Sequence, residues 1–261
     1  MSKFKVLDKI IIRNRSLGGQ LTFITGEQGS GKTTLMLQLL SELYKHDVCV
    51  WRGLDSAQAI QLFPYQKDIV ILLKKGRKHK VRIIEERKYK KTSLEELGYE
   101  IIRYSRITDI EQKLQENKLN VLYMTIEEWR EWLIKLPKIR KYTFWLTIAI
   151  DEFGEIAPAY PKGELWHKLQ DLANGIKEYR KRYINLLAAS QQAGEVDHRV
   201  RKKFQHRILG PGSIVEKHLR VWQKAIDNLK LGEAYICSSK FEKFTFQPLK
   251  KQTKDLQIEI L

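Results

Sequence analysis

Residues 26–33 read Gly26-Glu27-Gln28-Gly29-Ser30-Gly31-Lys32-Thr33, an instance of G-x-x-x-x-G-K-T. Its glycines let a backbone curl until successive N–H groups face one anion. A helix starting there adds the positive end of its dipole. Lys32 is then within reach of the β- and γ-phosphates of ATP, and the Thr33 hydroxyl suits Mg²⁺. Thr34 completes the candidate nucleotide-binding set. A glycine-rich turn with no ligand is the plain alternative. The context argues against it: the β-branched LTFIT precedes the loop, and TLMLQLLSELYK, apolar at helical spacing, follows it.

Magnesium needs an acidic residue at the end of a second buried strand. Residues 143–153, TFWLTIAIDEF, are the longest strongly apolar run and close on Asp151 and Glu152. Asp151 is the candidate for Mg²⁺, through water, and Glu152 the candidate general base on the attacking water. The pair favours hydrolysis over transfer to a bound small molecule. A third run, INLLAASQQ, passes from apolar to polar and presents Ser190 and Gln191 where a γ-phosphate sensor would stand, or simply ends a strand. Just upstream, KEYRKRY carries Arg180; basic residues at a helix C-terminus are also what the helix dipole favours.

Taken in order, GEQGSGKTT, IAIDEF, YRKRY, LLAASQQ and LGEAYI make the chain resemble the HerA–FtsK superfamily of P-loop ATPases, the DNA-pumping and packaging motors of archaeal viruses and plasmids among them. The resemblance covers residues 19–52 and 144–237. Arg180 stands before Gln191 at the spacing of the family's arginine, and Leu229, Leu231, Gly232 and Glu233 stand for its late Gly-Glu segment. Gln192 departs from the Arg or Pro that members often carry after the sensor. The resemblance implies catalytic roles for Lys32, Glu152, Gln191 and Arg180. It implies a homo-oligomeric ring, usually a hexamer, with ATP between neighbours and an arginine supplied in trans. Arg180 is the first choice for that arginine; Arg199 and Arg201 are the others. It further implies translocation or packaging of double-stranded DNA, with other proteins of a packaging or transfer machine as partners.

The elements that must hold these groups follow from periodicity. Strands are expected at 4–12, 21–25 and 48–52, and helices at 32–45 and near 55–62. DIVILLKKG and HKVRIIEER read as a hairpin across a glycine turn. ITDIEQKLQENKL reads as a helix and NVLYM as a strand. Thr125-Ile126-Glu127-Glu128 fits a capping box, opening a helix with Ile126, Trp129, Leu133 and Leu136 on one face, a stripe for packing rather than base stacking. Pro137 is expected to end it. The alternation predicts an α/β, RecA-like P-loop NTPase, its mostly parallel central sheet covered by helices, with a basic β-rich insertion. The whole chain, 1–261, reads as one ATPase domain; 54–118 reads as an inserted basic hairpin and helical subdomain, and 250–261 as a tail or a strand for a neighbour.

The chain carries 48 basic against 31 acidic residues, a formal charge of +17, which points to a polyanionic partner. Residues 74–91 hold ten Lys or Arg and two Glu. Lys74, Lys75, Arg77, Lys78, Lys80 and Arg82 are therefore candidate phosphate contacts, as are Arg201, Lys202 and Lys203 in a second cluster. A solvated charged surface is the plain reading of both. Two cysteines inside apolar runs make neither a disulfide framework nor a metal cluster. No run approaches the ~18 residues of a membrane span, and the start lacks a signal-peptide pattern. A cytoplasmic protein, or one of a host's cytoplasm, is expected. Three other readings share the nucleotide chemistry: a RecA-like recombination or helicase ATPase on single strands, a secretion-type ATPase, and a non-motor ATP-dependent DNA-binding switch.

Overall fold

The computed structural model describes residues 18–53, 58–85, 88–141, 144–219, 221–238, 241–247, 249 and 255–260. The strand expected at 4–12 lies outside them. In chain order the strands are β1 (Leu21–Thr25), β2 (Val48–Gly53), β3 (Ile69–Lys74), β4 (His79–Glu85), β5 (Lys88–Thr92), β6 (Glu100–Tyr104), β7 (Leu119–Tyr123), β8 (Leu146–Ile150), β9 (Ile184–Ser190), β10 (His206–Leu209), β11 (Glu233–Cys237), β12 (Phe241–Thr245) and β13 (Asp255–Ile260). The helices are α1 (Lys32–Leu43), α2 (Gln58–Leu62), α3 (Ile126–Ile139), α4 (Phe153–Ile156), α5 (Glu164–Glu178), α6 (His198–Arg201) and α7 (Gln223–Asp227).

Ten strands form one sheet in the order β12-β11-β10-β1-β9-β8-β2-β7-β3-β6. From β10 to β6 the neighbours are parallel, and β11 and β12 are added antiparallel. Side chains alternate across it with period two. In β8, Leu146, Ile148 and Ile150 join the cluster under α3 and α5, while Ala149 joins the cluster under α1. In β3, Ile69, Ile71 and Leu73 face the α1 side, and Val70 and Leu72 the other. Both faces are thus apolar and covered, as a parallel sheet requires. Trp129, Trp132, Leu133 and Leu136 of α3 are fully buried, so the aromatic stripe is core. Among the described residues, no helix is long and apolar enough to cross a membrane.

A buried polar line ties the strand starts. Asp47 accepts from Thr147 at 2.6 Å and from Asn185 at 3.2 Å, and Asn185 Oδ1 accepts from Gln20 N at 2.9 Å. His206 Nε2 lies 2.9 Å from Gln20 Oε1, and its Nδ1 3.0 Å from Ser238 Oγ. Gln20 Nε2 donates to Gly18 O, so its Oε1 is the acceptor and His206 carries its proton on Nε2. Burial, with Arg180 and Arg207 nearby, pushes the His206 pKa down to about 4, so the ring is neutral.

Three expectations are corrected. β3 and β4 are not a hairpin. β3 lies between β7 and β6 in the main sheet, because five consecutive apolar residues need burial on both faces. The hairpin is β4–β5, and β13 pairs with the other edge of β4, so Asp255–Ile260 is a strand within this chain. β3 and β6 belong to the main sheet, and the β13-β4-β5 sheet packs Val81 and Ile258 into the α1-side core. ITDIEQKLQENKL makes only the 3-10 turns Ile107–Asp109 and Glu111–Lys113. The fully buried Asn120 side chain takes both the N–H (2.8 Å) and the carbonyl (2.9 Å) of Gln115, groups a helix would use, and Asn117 is left-handed at φ 55°. Finally, α3 runs past Pro137 to Ile139. Proline removes the donor to Leu133 O, and the Tyr179 hydroxyl donates to that carbonyl at 2.8 Å instead.

Candidate active site

The C-terminal ends of β1, β9, β8 and β2 lie side by side, so the groups that follow each strand meet at one sheet edge. After β1 the chain curls through Gly29 (φ 80°) and Gly31 (φ 90°), left-handed conformations that favour glycine, and enters α1. Gly26 is fixed by space: a Cβ there would meet Ser30 Oγ at 2.5 Å. Gly26 N donates to Gln191 O at 3.2 Å and Glu27 N to Pro211 O at 2.9 Å, so the segments that follow β9 and β10, the two neighbours of β1, hold the loop from both sides. Lys32 Nζ donates to the carbonyls of Gly26 and Glu27 at 2.8 and 2.9 Å, across the cradle a phosphate would enter. Burial lowers the Lys32 pKa, opposed by the charges of Asp151, Glu152, Glu195 and Glu27.

A cleft of about 550 Å³ opens over the loop, lined by residues from Gln28 to Thr34, by Arg52, and by Asp151 and Glu152. Thr33 Oγ1 donates to Asp151 Oδ2. A hydroxyl and a carboxylate in direct contact are hard oxygen donors that one Mg²⁺ would share with phosphate oxygens and water. Asp151 Oδ1 accepts from Glu152 N at 3.0 Å, and Glu152 is left-handed at φ 51°. The Glu152 carboxyl is pushed up first by burial, then by the Asp151 charge, with Lys32 opposing. A base held this way takes a proton more readily than an ordinary carboxylate.

Sequence-predicted residues from three segments therefore converge: Gly26 to Thr34, Asp151 with Glu152 and, through its carbonyl, Gln191. Ser190 is turned instead to Glu195, donating at 2.6 Å. Gln192 bridges to the loop after β10, donating to Gly212 O at 2.9 Å and accepting from Ile214 N at 3.0 Å. Arg180 lies elsewhere. It is in the 3-10 turn Tyr179–Arg182 before β9, and the seven residues of that strand span about 20 Å between it and Gln191. Arg199 is paired with Asp197 at 2.8 Å and lies over the Trp166 ring, and Arg201 is paired with Glu216 at 3.0 Å.

The basic candidates do not form one patch. Lys74 and Arg77 both pair with Glu128, at 2.9 and 2.7 Å. Lys75, Lys78 and Lys80 are exposed, and Arg82 is half-buried. Lys202 and Lys203 precede β10, at the opposite end of the sheet from the turn after β3. Two site residues escaped the sequence reading: Glu195, held by Ser190, and Arg52, at the end of β2 and 2% exposed. The polar residue closing VCVWR was the only signal for the second.

Sheet and loop together are those of a RecA-like P-loop NTPase fold. No protein-family model matches the chain, and no curated protein matches it. Among solved structures it is similar to the genome packaging NTPase B204 of Sulfolobus turreted icosahedral virus 2. The complex with AMP is 12% identical, with a TM-score of 0.53 over 89% of this chain and 98% of that one. The complex with AMPPCP is 14% identical, with a TM-score of 0.52 over 89% of this chain and 99% of that one. At these identities the likeness is one of fold.

Proposed function

We propose that the chain is an ATPase that hydrolyses ATP to move double-stranded DNA, acting as a ring. The observation that carries the reading is the convergence of the P-loop, Asp151 and Glu152 on one cleft. In this reading backbone N–H groups of residues 29–33 and Lys32 bind the phosphates. Thr33 and Asp151 would hold Mg²⁺, which when bound neutralises charge developing on the β- and γ-phosphates. Glu152 accepts a proton from the attacking water, and Gln191, at the end of β9, reports the γ-phosphate to its neighbours. Arg180 is too far along the sheet for its own site and serves a neighbour's. The formal charge of +17 supports a nucleic-acid track, with Lys75, Lys78, Lys80, Arg82, Lys202 and Lys203 as phosphate contacts. B204 is a genome packaging NTPase by its description; packaging is the particular form this reading takes here.

ATP hydrolysis measured at low salt with and without duplex DNA, and again at higher salt, tests it. Stimulation by duplex that fades with salt is expected, since phosphate contacts release counterions. Greater stimulation by single strands would favour a helicase-type ATPase. Hydrolysis indifferent to DNA would sink the DNA motor and move the secretion-type reading ahead, and ATP binding without turnover would favour the switch.

A further inference from the structure

Arg52, the last residue but one of β2, lines the cleft, and the proposed mechanism does not use it. Its side chain is 1% exposed. Nη1 donates to the carbonyl oxygens of Asp151 at 2.7 Å and Glu152 at 3.0 Å, and Nη2 donates to Glu155 Oε2. Nε has no partner among the described residues. Burying a guanidinium is unfavourable unless its donors are matched, and an apolar side chain would serve as well for packing alone. Here Nη1 goes to the turn that carries Asp151 and Glu152, and Nη2 to Glu155 just after it. That turn is strained, because Glu152 is a non-glycine residue at φ 51°, ψ 50°. Such conformations persist only where the surroundings fix them.

The surroundings do so from two sides. Thr33 holds the Asp151 carboxylate, and Arg52 holds both carbonyls behind it. We propose that Arg52 is a positioning residue for hydrolysis: its fork fixes the Asp151–Glu152 turn and so aims the Glu152 carboxylate at the attacking water. A lysine keeps the charge but lacks the planar fork that spans two carbonyls and a carboxylate. Glu155 orients the guanidinium from its outer side.

The inference rests on the ATPase reading, and one set of measurements separates the two. Arg52→Lys, Arg52→Gln and Glu155→Gln are compared with the unchanged chain for kcat, KM for ATP, affinity for methylanthraniloyl-ADP and thermal melting. Arg52→Lys is expected to lower kcat on the order of 10- to 100-fold, since small misplacements of a reacting group have effects of that size. KM and ADP-analogue affinity stay within about threefold, because the P-loop is untouched. Glu155→Gln, which leaves both carbonyl bonds in place, loses less than Arg52→Lys. If the lysine variant does not fold, Arg52→Gln carries the same comparison. Unchanged kcat in the folded Arg52 variant overturns the positioning role, as does equal loss of kcat and nucleotide affinity, and both leave the ATPase reading standing. An unchanged chain that hydrolyses no ATP with or without duplex DNA overturns that reading, and this role with it.

Discussion

In the proposed mechanism Glu152 is the proton acceptor, and its surroundings set two expectations. Glu152→Gln keeps shape and nucleotide binding but removes the proton acceptor. Phosphate release should fall by roughly 10²- to 10⁴-fold while ADP-analogue affinity holds. The second expectation is the pH profile. Burial and Asp151 raise the Glu152 pKa, so the basic form is lost earlier as pH falls. Turnover should therefore rise with pH through a value above the ordinary carboxylate range, about 4.3. A kcat profile from pH 4.5 to 8 that is flat on its acid side would contradict this. Lys32, Thr33, Asp151 and Glu152 were legible in the sequence because each belongs to a contiguous motif at a strand's end. Arg52 and Glu195 were not. Their place in the site depends on β2 lying beside β8 and on the turn after β9, which strand order decides and local spacing does not.

At the scale of elements, the misreadings share one cause. Period and turn residues report what a segment can do locally, while a buried neighbour decides what it does. IVILL after Asp68 is a strand in either reading, but only the neighbours β7 and β6 make it central. The 107–119 segment has helical composition, and one buried side chain, Asn120, outbids the helix for its backbone groups. The continuation of α3 past Pro137 shows the same rule in favour of a helix. Tyr179, wholly buried between α5 and β9, supplies with its hydroxyl the donor that Leu133 O lacks from its own helix. Tyr179→Phe should therefore destabilise the fold by about 1–3 kcal/mol, the effect of leaving a buried carbonyl unpaired. Denaturant unfolding would measure it; a change near zero would mean that the carbonyl finds another donor.

At the scale of the whole molecule, Arg180 and the nucleotide cleft occupy opposite ends of the same sheet, so a contribution from Arg180 to hydrolysis needs a second subunit. Arg180→Ala and Asp151→Asn should each abolish turnover while binding nucleotide. Mixed one to one, they should recover activity at about a quarter of the sites, those pairing an intact acidic turn with an intact neighbouring arginine in a head-to-tail ring. Mixed rings that stay inactive would remove Arg180 from that role. Strand order has one more consequence, for synthesis. β1 lies between β9 and β10, so the strand that launches the phosphate-binding loop meets its first neighbour only when Ile184–Ser190 has been made. At 5–20 residues per second the ribosome needs roughly ten to thirty seconds to cover that distance. During that interval β2, β7, β3 and β6 can already pair with one another, while β1 has nothing to pair with. The nascent protein thus builds one flank of its sheet first and acquires its nucleotide cradle near the end of translation. Stalled chains probed by protease should show the LTFIT segment cut until β9 emerges and protected afterwards.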